Sequence, residues 1–196
     1  MREYISILSI MGSLLAGLGC TPTLTVHPPA DDIRNQQTQQ WLRIIEEKAA
    51  PGDWLIIRGY TDSDHLVAAA TNIPISHAAV LDKKQAVVIE AVGSGVRIAS
   101  LQSFVHNSHR LLLMRPKWWT PERGIEAVKR AHTKVGKKYD FLGAIGGDDP
   151  DRFYCTELAV WTYQPHHSDN EQFPYVLEPG QMYLWADILF DSQPRN

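Results

Sequence analysis

Three side chains in this sequence have the means, acting together, to break an acyl bond: a thiol, an imidazole and a carboxylate. The thiol is Cys155, in Arg152-Phe153-Tyr154-Cys155-Thr156-Glu157-Leu158-Ala159-Val160-Trp161. The block before it, Gly146-Gly147-Asp148-Asp149-Pro150-Asp151, is made of turn formers that cannot continue a helix or a strand. Leu158, Val160 and Trp161 then open a helical apolar face. A thiol in the first turn of a helix lies near the positive end of the helix dipole, which favours the thiolate. Taken alone, a free cysteine behaves as a small hydrophobe and belongs to a core. A nucleophilic thiol also needs a base within reach and a group that orients that base.

Eight histidines are available as the base. His27, His106, His109, His132, His166 and His167 fall in a tether, in loops or on a polar helix face, and read as solvated surface residues. His77 differs. It opens the run Ser76-His77-Ala78-Ala79-Val80-Leu81, where the small alanines leave space around an imidazole. The next run, Val87-Val88-Ile89-Glu90-Ala91, carries one carboxylate among apolar residues. A hairpin centred on Lys83-Lys84 sets Leu81 opposite Ala86 and His77 opposite Ile89 to Glu90. The sequence thus expects a histidine and a carboxylate side by side on a rigid sheet, with Glu157 the other candidate for the third role. A metal site of Cys155 with histidines lacks the ligand spacings such sites use.

The elements that must position these residues follow from period and punctuation. Residues 32 to 50 read as a helix capped by Asp31 or Asp32, and Pro51-Gly52-Asp53 as a turn. Trp54 to Arg58 is a buried strand, with a short helix over Leu66 to Ala70 after it. Runs at 76–81, 86–91 and 95–99, separated by short polar or glycine-bearing links, read as an antiparallel meander. Leu101 to Asn107 is a short helix and Arg110 to Arg115 a further strand. Thr120-Pro121-Glu122 opens a helix with a threonine cap and proline at its first position. That helix presents Ile125, Val128, Ala131 and Val135 on one face and stops at Gly136. Residues 165 to 180 read as loop, and Gln181 to Phe190 as a packed terminal helix. The fold class is α+β, with an antiparallel sheet packed against a helix that bears the cysteine at its N-terminus.

The chain has 196 residues, 44% of them hydrophobic, and a net charge of -3, which suits one globular core and gives no reason to expect nucleic acid as a partner. Residues 1–19 stand apart: an apolar run from Ile5 to Leu18 follows Met1-Arg2-Glu3-Tyr4 and ends on Gly19-Cys20. The run has the length of a signal-peptide core rather than of a membrane span. It resembles a bacterial lipoprotein signal with Cys20 as the lipidated residue, although Gly17 stands where a leucine is usual. The expected organisation is a signal at 1–19, a tether and helix at 20–50, and a catalytic domain at 51–196. Acylation of Cys20 leaves Cys155 with no disulfide partner, so in an exported protein it is either packed away or used.

The order His77, Glu90, Cys155 is the reverse of papain, in which the cysteine comes first. With Pro51-Gly52-Asp53, Ser76-His77-Ala78-Ala79-Val80, Val88-Ile89-Glu90-Ala91, Gly95-Val96, Gly136-x-x-Tyr139-Asp140-Phe141 and Phe153-Tyr154-Cys155-Thr156-Glu157-Leu158, the chain resembles the circularly permuted, NlpC-type cysteine peptidases of papain-like fold. Within them it is most similar to the YiiX and YaeF group of bacterial envelope proteins, relatives of the lecithin–retinol acyltransferases. The resemblance implies a permuted papain-like fold, Cys155 as nucleophile, His77 as base and then acid, and Glu90 orienting the imidazole. A carboxylate there departs from members that use His or Asn. Tyr154 is expected to border the substrate pocket, and no cofactor is implied. The expected activity is hydrolysis of an amide in a small peptide, cell-wall fragment or lipid-like substrate, on a protein held at the envelope membrane by its lipid and facing the periplasm. A thiol acyltransferase and a non-catalytic lipoprotein that binds in the same groove are the other outcomes the resemblance allows.

Overall fold

The computed structural model describes residues 25–147, 149 and 151–195, so the signal-like segment and Cys20 lie outside the described residues. In chain order the elements are α1 (Asp31–Lys48), β1 (Trp54–Gly59), α2 (Asp62–Thr71), β2 (His77–Asp82), β3 (Val87–Val92), β4 (Gly95–Ser100), α3 (Leu101–His106), β5 (Ser108–Pro116), α4 (Pro121–Thr133), β6 (Lys138–Tyr139), β7 (Arg152–Phe153), α5 (Cys155–Trp161) and β8 (Ala186–Asp191). A six-stranded sheet runs in the order β4-β3-β2-β1-β5-β8, with every neighbouring pair antiparallel. The short strands β6 and β7 pair in parallel beside it. The architecture is the expected α+β one. Among the described residues no helix is long and apolar enough to cross a membrane.

Helices cover the sheet on both faces, which explains the unbroken apolar run of β1. Trp54 and Ile56 join one core cluster with Ala78, Val80, Ala127, Ala131, Leu158 and Ala159. Leu55 and Ile57 join the other, with Trp41, Ile45, Ala79, Leu81, Phe104 and Val105. A strand buried on both sides has no polar face to show.

Three expectations are corrected. The N-cap of α1 is Ala30, with no side-chain bond, and Asp31 and Asp32 sit inside the first turn, where negative charge favours the helix dipole. In α4 the buried face is Gly124, Ala127, Val128 and Ala131, while Ile125 and Val135 are exposed. The small residues are the inward ones because Gly124 abuts the turn ahead of β1: a Cβ there would lie 2.2 Å from the Pro51 oxygen. Finally, 181–190 is not a helix. A 3-10 turn over Pro179–Leu184 leads into β8, which pairs along the outer side of β5. An unpaired edge beside Leu112 to Pro116 outweighs the local helical spacing.

The turn Pro51-Gly52-Asp53 joins the layers. Gly52 has φ +83°, and a Cβ on it would meet the Gly124 oxygen and the Tyr163 hydroxyl at 2.6 Å. Tyr163 Oη donates to the Gly52 carbonyl at 3.0 Å, and Trp119 Nε1 to that of Pro51 at 3.0 Å. Asp53 is fully buried and takes Arg115 Nε at 2.9 Å and Nη2 at 2.8 Å, one on each carboxylate oxygen. Burial pushes the Asp53 carboxyl up, and Arg115 and the Ala50 N–H oppose it. Removing one partner of such a pair strands a buried charge. Arg115→Leu is therefore expected to cost about 2–4 kcal/mol in urea unfolding, and a loss under about 0.5 kcal/mol, the range of neutral surface changes, would show that the pair is not an anchor.

Candidate active site

His77 is the first residue of β2, and the residue before it pins it there. Ser76 N donates to the Ile57 carbonyl at 2.7 Å, and Ser76 Oγ to Asp64 Oδ1 at 2.6 Å. Asp64 is itself fixed in the capping box of α2, its Oδ2 accepting the Thr61 N–H at 3.0 Å. Gly59 permits this approach, since a Cβ there would stand 2.2 Å from Asp64 Oδ2. At the strand end the imidazole meets both core layers: its ring lies 6.0 Å from Phe104 of one cluster, and its charge couples to Cys155 of the other.

Glu90 reaches it from β3. The observed register pairs Ala79 with Glu90 and Leu81 with Val88, two residues from the pairing expected from the sequence. The shift arises in the link, where a 3-10 turn over Lys83–Gln85 ends on Ala86 in the left-handed region, φ 52°. Because the shift is even, Glu90 keeps its side of the sheet, where a one-residue slip would have turned it away. It stands diagonally from His77, a separation a glutamate spans, and His77 Nε2 donates to Glu90 Oε2 at 2.7 Å. Nε2 being so engaged, Nδ1 is the nitrogen left for the thiol.

Glu90 has a second partner that sequence reasoning missed. Arg97, directly opposite it on β4, donates from Nε to Glu90 Oε1 at 2.9 Å, and its Nη2 lies in ion-pair contact with the same oxygen at 2.9 Å. A signal was present. The turn Gly93-Ser94 closes on Val92 and Gly95, and counting back from that pair sets Glu90 against Arg97.

Cys155 is the first residue of α5, whose start is capped by Glu157: Tyr154 N donates to Glu157 Oε2 at 3.2 Å. Cys155 is 8% exposed, and the side chains of His77 and Glu90 are 14% and 5% exposed. Burial raises the thiol's pKa, but His77 by hydrogen bond and charge, with the N–H groups of Ala78 and Thr156, brings it below the ordinary cysteine value. Burial likewise works to lower the His77 pKa, and the bonds to Cys155 and then Glu90 overcome it, raising His77 to about 10. Burial raises Glu90, and His77 followed by Arg97 more than reverses it. All three shifts run toward a thiolate–imidazolium pair with an ionised carboxylate behind it. That is the charge state of an armed cysteine nucleophile.

The other candidates are placed as follows. Tyr154 is buried, and its hydroxyl accepts the Leu177 N–H at 2.8 Å. Thr156 Oγ1 donates to the Leu177 carbonyl, so the residues on both sides of Cys155 hold the later loop over the start of α5. Glu157 caps rather than orients. His132 bonds Asp82 and His166 bonds Glu126, while His167 packs against Trp118 and Phe173, so none of these three serves the thiol. A cleft of about 210 Å³ beside the segment leading to Cys155 is lined by Asp140, Phe141, Leu142, Asp149 and Arg152, and so by none of Cys155, His77 and Glu90. Among the described residues no group of three or more His, Cys, Asp or Glu is placed to hold a metal ion.

The model of the family described as permuted papain-like amidase enzyme, YaeF/YiiX, C92 family, matches residues 51–176. The chain belongs to this family. The match takes in the Pro51-Gly52-Asp53 turn, His77, Glu90, Arg97 and Cys155. No curated protein matches the chain. Among solved structures it is similar to the crystal structure of the metalloprotein YiiX from Escherichia coli O157:H7, with 22% identity, 61% of this chain and 67% of that chain covered, and a TM-score of 0.52. That likeness is one of fold. The family is one of papain-like amidases, so the activity class is amide hydrolysis of the cysteine type.

The ion pair sets a pH dependence with a definite sign. As pH falls through the lowered thiol value the thiolate is protonated, and as pH rises through about 10 the imidazolium is lost. Alkylation of Cys155 by iodoacetamide should therefore be well advanced at pH values where a free thiol, midpoint roughly 8.5, is inert. His77→Ala should move the midpoint up to or beyond that of the free thiol. A wild-type midpoint near 8.5, unmoved by His77→Ala, is the contrary result.

Proposed function

We propose that this member of the amidase family is a cell-envelope thiol hydrolase that cleaves an amide in a peptidoglycan stem peptide or an N-acyl amide through an acyl-enzyme on Cys155. The observation that carries the proposal is the buried row Cys155, His77, Glu90, with His77 Nε2 at 2.7 Å from Glu90 Oε2 and the thiol pulled down by the imidazole. The thiolate attacks the amide carbonyl and forms the carbon–sulfur bond. N–H groups at the start of α5 face the resulting oxyanion, where such donors have most effect. His77 gives its proton to the leaving nitrogen as the carbon–nitrogen bond breaks, and the amine departs. A water molecule then yields a proton to His77 as its oxygen attacks the thioester, and the carboxylic acid leaves with the thiolate restored.

The envelope location rests on the sequence of residues 1–20, which supports export and a lipid on Cys20, with the active site facing the periplasm. A thiol kept without a disulfide partner in that compartment fits a working nucleophile.

The test is mass spectrometry of peptidoglycan fragments and N-acyl amides incubated with the enzyme, with intact-protein masses taken after an acid quench. An acyl adduct on Cys155 and release of an amine are expected. Product formation should fall by about 10²–10⁴-fold in His77→Ala and vanish in Cys155→Ala. Products that persist in Cys155→Ala would remove the thiol from the mechanism.

A further inference from the structure

We propose that Arg97 is a positioning residue of the catalytic row, acting through Glu90 to hold the His77 imidazole in its working orientation. The proposal rests on the reading of His77 and Cys155 as base and nucleophile, and it adds a residue to that reading.

A carboxylate can present either oxygen to an imidazole, and turning it half way round exchanges them. In this site Arg97 places Nε and Nη2 on Glu90 Oε1, both at 2.9 Å, and only Oε2 is left for His77. Turning the carboxylate would break a charge-assisted hydrogen bond and an ion-pair contact at once. The mount is firm. Arg97 is the direct strand partner of Glu90 across a two-residue hairpin link. Its neighbour Val96 is tied on both sides of its backbone, with N donating to the Lys137 carbonyl at 2.8 Å and its carbonyl accepting from Gly136 N at 2.9 Å. A surface ion pair usually contributes little. Here the carboxylate is 5% exposed although the guanidinium is 57% exposed, so the charge that would be left behind is a buried one.

Charge balance gives the direction. Thiolate, imidazolium and carboxylate sum to one net negative charge in a space nearly closed to water. Arg97 neutralises it. Without the guanidinium, the row relieves itself by taking up a proton, and the thiolate is where the uptake disarms the enzyme. A lysine supplies the charge but not the two-pronged grip.

The experiment is iodoacetamide alkylation of Cys155 across pH in wild type, Arg97→Ala, Arg97→Lys, Glu90→Gln and the Arg97→Ala/Glu90→Gln double variant, with thermal melts to confirm folding. At pH 6, Arg97→Ala should alkylate about five- to tenfold more slowly than wild type, with Arg97→Lys in between. In the Glu90→Gln background, removal of Arg97 should add less than about a twofold change, as expected for residues acting as one unit. A folded Arg97→Ala that alkylates as wild type does, or an equal slowing with and without Glu90, overturns the role of Arg97 alone. A wild type that alkylates like a free thiol overturns the catalytic reading and this role with it.

Discussion

The site depends on a single electrostatic constraint: a thiol, an imidazole and a carboxylate share a space almost closed to water, and their shifts run toward two anions about one imidazolium. A buried thiolate is unfavourable, and so is a buried carboxylate. Each becomes tolerable because the charge of His77 acts on both, with Nε2 bonded to Glu90 and Nδ1 left for the thiol. The same arrangement explains why His77 holds its proton far above the ordinary histidine range. To give it up would leave two like charges facing across an imidazole. In the proposed reaction, this arrangement would put the proton for a departing amine beside a thiol biased toward its ionised form.

That constraint has structural consequences in every element around the row. His77 opens β2, where one side chain can touch both core layers, and the bonds through Ser76, Asp64 and Thr61 hold the strand end in place. Ala78 serves twice. Its methyl packs in the cluster beneath α5, and its N–H helps lower the pKa of the Cys155 thiol. The Pro51-Gly52-Asp53 turn fixes the other end of the same sheet to α4 and Tyr163, so α5 and β2 are referred to one framework. Tyr154 and Thr156, on either side of Cys155, secure Leu177 from the loop that follows, which is why the thiol is only slightly exposed.

Much of this was legible in the chain, for reasons of local physics. The turn-rich block before Cys155 and the apolar face after it located a helix start. A polar residue at the mouth of an apolar strand marked His77, and a lone carboxylate in the next apolar run marked Glu90. The threonine before α4 and the proline that opens it declared its start. What could not be read was set by tertiary demands. The segment carrying Leu184, Trp185, Ile188 and Leu189 has helical spacing but supplies a strand, because the edge of β5 needed a partner. The small face of α4 is buried because the backbone at Pro51 and Gly52 comes too close for larger side chains. The β2–β3 register moved by two because Ala86 took a left-handed conformation that its residue type does not announce. Arg97 was within reach of hairpin counting, yet an exposed arginine on an outer strand looks like ordinary surface until its carboxylate partner is seen to be buried.

The ionisation state of His77 is the most direct test of the account. Nitrogen chemical shifts of the ring, recorded on the folded protein between pH 6 and 11, report both nitrogens separately. The account predicts that both carry protons at pH 7 and 8 and that the signal titrates near pH 10. A His77 that is neutral at pH 8, with a titration near the ordinary value of about 6.5, would contradict it.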